Sequence, residues 1–186
     1  MRVIVMVLIG GISIASAFLA QGRSSVPHSE VRPKYSLEEG TLVQDEDAEI
    51  YKVIVQFRDA ITHKDPTLLF STLHSNTIPW LGIFADDSLA FMQIKEPQIT
   101  KVQSSDPVAF MDWIIAQESK VEEKFWNIQI TQDRHIATVH FDYSFHIGEQ
   151  KTNWGQESWQ LIKTPQGWKI NSVIYSLNIH QTAQDV

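Results

Sequence analysis

Apolar positions along this chain change their spacing once, near Val121: before it they recur every three or four residues, and after it they alternate. Ile50, Val53, Ile54, Phe57 and Ile61 form one stripe of an amphipathic helix that opens near Asp45. Asp45, Glu46 and Asp47 put negative charge where a helix N-terminus favours it, and His63 and Lys64 suit the other end. Asp65-Pro66 reads as a cap followed by proline at the first helical position. It predicts a short second helix over 66–73 that buries Leu68, Leu69 and Leu73. Residues 74–76 read as a turn, and 77–84 as a strand carrying Ile78, Trp80 and Phe84. Asp86-Asp87 is expected in a solvated loop and 90–94 in a short strand. Asp106-Pro107 repeats the cap-plus-proline signature. The helix after it is expected to run to about Ser119, with Val108, Met111 and Ile115 on one stripe and Phe110, Trp113 and Ile114 beside it. So broad an apolar face predicts cover on more than one side.

From Val121 the period is two. Trp126, Ile128 and Ile130 alternate with Asn127 and Gln129. After a turn at 132–134, Ala137, Val139, Phe141, Tyr143, Phe145 and Ile147 alternate with Thr138, His140, Asp142, Ser144 and His146. A second turn at 148–150 and a Pro-Gln-Gly turn within 164–167 separate two further runs, 151–163 and 168–178. Four successive strands at this spacing predict an antiparallel meander. Residues 179–186 read as a tail.

The N-terminus has a different grammar. Arg2 precedes an apolar run from Val3 to Ile14, broken by Gly10-Gly11, and Ala15-Ser16-Ala17 fits an A-x-A cleavage pattern. Residues 1–20 therefore predict an export signal and a periplasmic or secreted protein. The alternative is a membrane anchor formed by residues 3–20, since the apolar run through Leu19 approaches the lower spanning limit of about 18 residues. Residues 21–44 are polar, hold Pro27 and Pro33, and read as a flexible linker in which His28 is solvated. If the signal stays on, the linker holds the domain off the membrane. One folded domain is expected over 45–178.

Composition narrows the chemistry. Apolar residues make up 43%, with six Trp and nine Phe, enough for a ring-rich core or pocket. A net charge of −7 repels phosphate backbones, so no nucleic-acid partner is expected. The absence of cysteine excludes disulfides, thiol catalysis and cysteine metal sites. No nucleophile-elbow, phosphate-loop, H-E-x-x-H or dinucleotide glycine pattern occurs. No cofactor is expected.

Helices followed by a long bent meander resemble the nuclear transport factor 2-like superfamily, which includes ketosteroid isomerase, scytalone dehydratase and polyketide cyclase relatives. The residues that carry the resemblance are the helix from Ala48 to Ile61, His63-Lys64-Asp65 and Leu68-Leu69-Phe70. Gly155-x-Glu157-x-Trp159-x-Leu161, Gly167-Trp168-Lys169-Ile170 and Val173-x-Tyr175 complete it, over about residues 45–178. It implies a cone-shaped α+β domain: a strongly bent antiparallel sheet with two to three N-terminal helices packed on its concave face, and a pocket between them. It also implies frequent dimers through the sheet. Ketosteroid isomerases pair a carboxylate base with a tyrosine and a protonated acid. This chain offers Tyr143 and Glu157 but no match to that family's local motifs, and fold alone does not settle activity.

Tyr143 and Glu157 are the candidate catalytic pair. Both share strand faces with Phe141, Phe145, Trp159 and Leu161, and a carboxyl among rings is pushed toward a useful acid or base. The plainer alternative is a Glu157 that pairs with a lysine or caps backbone, and a Tyr143 hydroxyl at the cavity rim. His74, Trp80, Phe84, Trp113, Phe141 and Trp159 join the pair as candidate ligand-binding residues, though core packing explains most of the rings equally well. His140, Asp142 and His146 share the opposite strand face. The two histidines stand about 20 Å apart at the β rise, so no metal site is assigned. Three functions are expected in descending order. The first is an exported domain binding a small apolar or aromatic molecule. The second is an isomerase, dehydratase or cyclase using Glu157 and Tyr143. The third is a non-catalytic interaction module of the cell envelope.

Overall fold

The computed structural model describes Tyr35, Leu37 and residues 44–179. The export signal, most of the linker and the C-terminal tail lie outside the described residues.

Helix α1 (Ala48–His63) buries the stripe its spacing predicts, from Ile50 to Ile61, with Ala60 added. It ends at Lys64, whose left-handed backbone (φ 55°) turns its N–H back onto the carbonyls of Ala60 and Ile61. Asp65 then accepts from the Leu68 N–H at 2.9 Å and opens α2 (Pro66–Thr72). Strand β1 (Trp80–Phe84) is shorter than the 77–84 expected, although Ile78 is buried.

Asp86-Asp87 and 90–94 are neither loop nor strand. Both belong to α3 (Asp86–Lys95), where the two carboxylates sit in the first turn and favour its dipole. Ser88 is its one buried residue among those described, so its apolar side chains lie on no common inner face. Strand β2 (Val102–Ser105) had no signal in the hydrophobic pattern and is mostly exposed.

Asp106 caps α4 (Pro107–Ala116), accepting from the Val108 and Ala109 N–H groups at 2.9 Å each. The expected stripe is rotated. Met111 and Ile114 are buried, whereas Val108, Trp113 and Ile115 are exposed, so the broad face is covered on one side only.

The four long strands β3 (Val121–Gln132), β4 (Ile136–Ile147), β5 (Gln150–Thr164) and β6 (Gly167–Ile179) form the predicted meander. The sheet order is β2-β1-β6-β5-β4-β3, so β2 and β3 are its edges and it stays unclosed. It is not wholly antiparallel. β1 joins β6 in parallel, with Trp80 opposite Val173. Register shifts at Trp126/Gln129, Phe145/His146 and Gln160/Leu161 fit its curl, because an extra residue on one strand bends the pair. At the first of these Asn127 takes φ 53°, and the inner and outer phases exchange. Trp126, expected inside with Ile128 and Ile130, is therefore exposed, and Phe125 is buried instead.

The core lies between α1, α2, α4 and the inner sheet face. Trp159 is its centre, fully buried, with ring centroids of Phe57 at 4.7 Å and Phe141 at 5.0 Å.

Candidate functional site

A cavity of about 260 Å³ remains between the helices and the inner face of the meander. Helix α1 contributes Phe57, α4 contributes Phe110 and Trp113, and β1 contributes Trp80. The sheet supplies Glu123 from β3, Tyr143 and Phe145 from β4, Asn153 and Glu157 from β5, and Tyr175 and Leu177 from β6. Trp113 is both part of the lining and 45% exposed, which marks the mouth. Strand alternation explains the set: Tyr143 and Phe145 are two apart and share a face, as do Tyr175 and Leu177. Gly82 on β1 stands opposite Tyr175, and a Cβ there would lie 2.7 Å from the tyrosine ring. Only glycine lets that ring settle against the strand.

Two carboxyl groups face this ring-lined space. Glu157 is buried, and the Trp159 indole N–H donates to its Oε1 at 2.5 Å. Glu123 is 5% exposed, and no described side chain donates to it. Desolvation pushes the Glu157 carboxyl up to about 8, against an opposing pull from the Trp159 hydrogen bond. Desolvation also holds Glu123 well above the usual carboxylate range, and the charge of Glu157 adds to it. Burial raises both tyrosines too, Tyr175 to about 12. Both carboxyls therefore keep their protons to higher pH than an exposed glutamate does.

The shift has a sign that can be measured. The unfolded chain loses the Glu157 proton near 4.5 and the folded chain keeps it to about 8. The folded state therefore binds the extra proton between these values. Stability is fullest below the unfolded value and falls as pH rises through the folded one. Glu157→Gln keeps an acceptor for Trp159 and removes the ionisation. Its Tm is expected to exceed that of the parent at about pH 9 and to converge on it toward about pH 5. Thermal melts across that range check this; a gap that does not change with pH would contradict the burial of the carboxyl.

The expected site residues divide. Trp80, Trp113, Tyr143 and Glu157 line one cavity. Trp159 lies behind it and reaches it only through its bond to Glu157. Phe141 is fully buried beneath Trp159, and Phe84 is buried at the far end of β1; neither lines the cavity. His74 is exposed and away from the cavity; its backbone N–H joins the Ile170 carbonyl at 2.8 Å. Tyr143 is not a free donor: its hydroxyl donates to the Ser176 carbonyl at 2.9 Å. Glu157 pairs with no lysine among the described residues.

Seven lining residues are not among those the sequence singles out, and Glu123 is the one carboxyl among them. Its signal is the alternation Val121-x-Glu123-x-Phe125, all three buried. On the outer face His140 Nδ1 meets Ser158 Oγ at 2.7 Å, and His146 Nε2 meets Ser144 Oγ at 2.9 Å. Asp142 accepts from Asn127 Nδ2 and Gln156 Nε2 at 2.6 and 3.1 Å. Among the described residues no three metal-ligating side chains gather.

No protein-family model matches the chain, and no curated protein matches it significantly. Solved structures do. An NTF2-like protein with a cystatin-like fold from Novosphingobium aromaticivorans matches with a TM-score of 0.53 and 12% identity, over 76% of this chain and 86% of that one. An NTF2-like protein of unknown function from Pseudomonas putida matches at 0.52 and 10%, over 75% and 91%. Another from Shewanella baltica matches at 0.50 and 16%, over 76% of this chain and all of that one. With its helices leading into a curled six-stranded sheet, the chain has the fold of the nuclear transport factor 2-like proteins.

Proposed function

We propose that this domain binds a small apolar or aromatic molecule in the cavity between α1, α4 and the inner sheet face. One observation carries the reading: two buried carboxyl groups face a ring-lined space that the core itself leaves unfilled. A structural core has no use for polar groups in such a place, because burying them costs free energy that packing does not return. A concave, mostly apolar site with few convergent polar groups is the usual form of a ligand pocket. At about 260 Å³ it falls just under the range of roughly 300–1,000 Å³ typical of drug-sized ligands, so the occupant is of single-ring size.

A filled pocket makes the control. Asn153 lines the cavity and is partly buried, so Asn153→Trp should occupy the space. Against a panel of single-ring aromatic compounds the parent is expected to gain thermal stability with at least one, and the variant with none. An equal response from both, or none from the parent, would overturn the reading.

A second reading is favoured by the Glu157 carboxyl, whose proton is held to about 8 and can be given or taken near neutrality. In an isomerase, dehydratase or cyclase, Glu157 would be the acid or base and Glu123 its partner, with Tyr143 supporting the wall. Glu157→Gln would then lose turnover while keeping ligand. We also propose that the domain acts after export and as a homodimer through the outer sheet face. Native mass spectrometry of the mature protein reads both at once. A full-length monomer would remove both.

A further inference from the structure

The two acids in the cavity differ in how they are held. Glu157 is anchored by the Trp159 indole. Glu123 is buried, lines the cavity and receives no hydrogen bond from any described side chain. Seven of the eleven lining residues are aromatic, and none is basic. β4 and β6 present the Tyr143 and Tyr175 hydroxyls, and β5 presents Asn153. α1, α4 and β1 present only rings. The neighbouring cleft along β3, which Glu123 also borders, holds Arg58 and Lys124; Asp59 takes the Arg58 guanidinium at 2.6 Å, and Lys124 lies 3.9 Å from Glu122. Among the described residues no basic side chain lines the cavity to balance these carboxyls when they ionise.

Ring faces carry negative charge and attract cations, more strongly once water is excluded. An aromatic wall and two acids with no basic neighbour in the described lining therefore both favour a cation over an anion. We propose that the cavity takes a small organic cation, an amine whose protonated or quaternary nitrogen sits between Glu123 and Glu157 while its apolar part lies against Phe57, Trp80 and Phe110. The proposal rests on the reading of the cavity as a ligand site and narrows it to one chemical class. It also commits the site to a proton balance. A bound cation favours the carboxylates while burial favours their acid forms, so binding is expected to release protons. Affinity should rise with pH until both acids are ionised.

Benzyltrimethylammonium, acetophenone and phenylacetate are of similar size and differ in charge, so they form the test. Calorimetric titration at neutral pH is expected to give the cation at least about tenfold tighter binding than acetophenone, and no binding of phenylacetate. Repeating the cation titration in buffers of different ionisation enthalpy should reveal proton release, which needs no variant. The double substitution Glu123→Gln and Glu157→Gln should abolish the preference for the cation and keep the binding of acetophenone. If acetophenone binds as well as the cation or better, the cation proposal fails and the cavity remains a ligand site whose acids act as donors. If the cation binds without proton release, the carboxyls are not its partners and the proposal fails as well. If no probe binds, the proposal and the ligand-site reading fall together.

Discussion

Truncating Trp159 to alanine is expected to cost the domain about 3–5 kcal/mol, the range for deleting a fully buried large ring. Trp159 has no exposed surface and packs against Phe57, Phe141 and Phe125, the last with its centroid at 6.1 Å. These rings come from α1, β4 and β3, so the vacancy would open where helix and sheet meet. A small domain has only about 5–15 kcal/mol to lose. Urea denaturation followed by far-UV circular dichroism reads the loss directly. Trp159→Phe separates packing from polarity. It keeps most of the ring volume but removes the only described donor to Glu157. It should cost about 1–3 kcal/mol, the penalty for stranding a buried polar group, and push the Glu157 carboxyl higher still. If both variants lose less than about 1 kcal/mol, the core described around Trp159 is wrong.

Gly155→Ala carries the second large effect, and it works through backbone. A Cβ at position 155 would lie 2.2 Å from the Ser176 carbonyl oxygen and 2.6 Å from its Oγ. Neither atom is the end of a long side chain that could swing aside. Both are also in use: the carbonyl accepts from the Tyr143 hydroxyl, and Oγ accepts from the Gln156 N–H. Overpacking of this kind typically costs about 1–3 kcal/mol and can cost more when backbone must move. The expected result is a loss of about 3 kcal/mol, with Tyr143 displaced from the cavity wall. Thermal melts measure the first, and the chemical shift of the Tyr143 ring measures the second. Retained stability with an unmoved Tyr143 would mean that β5 and β6 are less close than described.

The two glutamates show why one half of the site was legible and the other was not. Glu157 stands between Gly155 and Trp159 in a run whose other inner positions are apolar, so a carboxyl there is conspicuous. Glu123 stands in Glu122-Glu123-Lys124, which looks like a solvated patch. Its neighbours do face out, and Lys124 lies 3.9 Å from Glu122. Only the phase set by Val121 and Phe125 turns Glu123 inward, and the shift at Asn127 hides that phase from a count that begins at Trp126. β4 is legible because its two faces differ sharply in polarity from Ala137 to Phe145. α3 is not legible because its apolar residues follow neither period and only Ser88 among its described residues is buried. The cap-plus-proline pairs at Asp65 and Asp106 needed no tertiary context, and both caps form the hydrogen bonds expected of them.

The parallel pairing of β1 with β6 gives the cavity a history. β3 to β6 can zip together as neighbouring hairpins, each closing a short loop. β1 can take its place only after Val173 to Leu177 has been made, though Trp80 to Phe84 lies far earlier in the chain. Contacts of such long separation form late, since the ends must be brought together before they gain anything. Trp80 is therefore expected to be the last wall to arrive. A chain still emerging from the ribosome, or one cut before its final strand, would hold its described helices and half its sheet and still have no closed cavity.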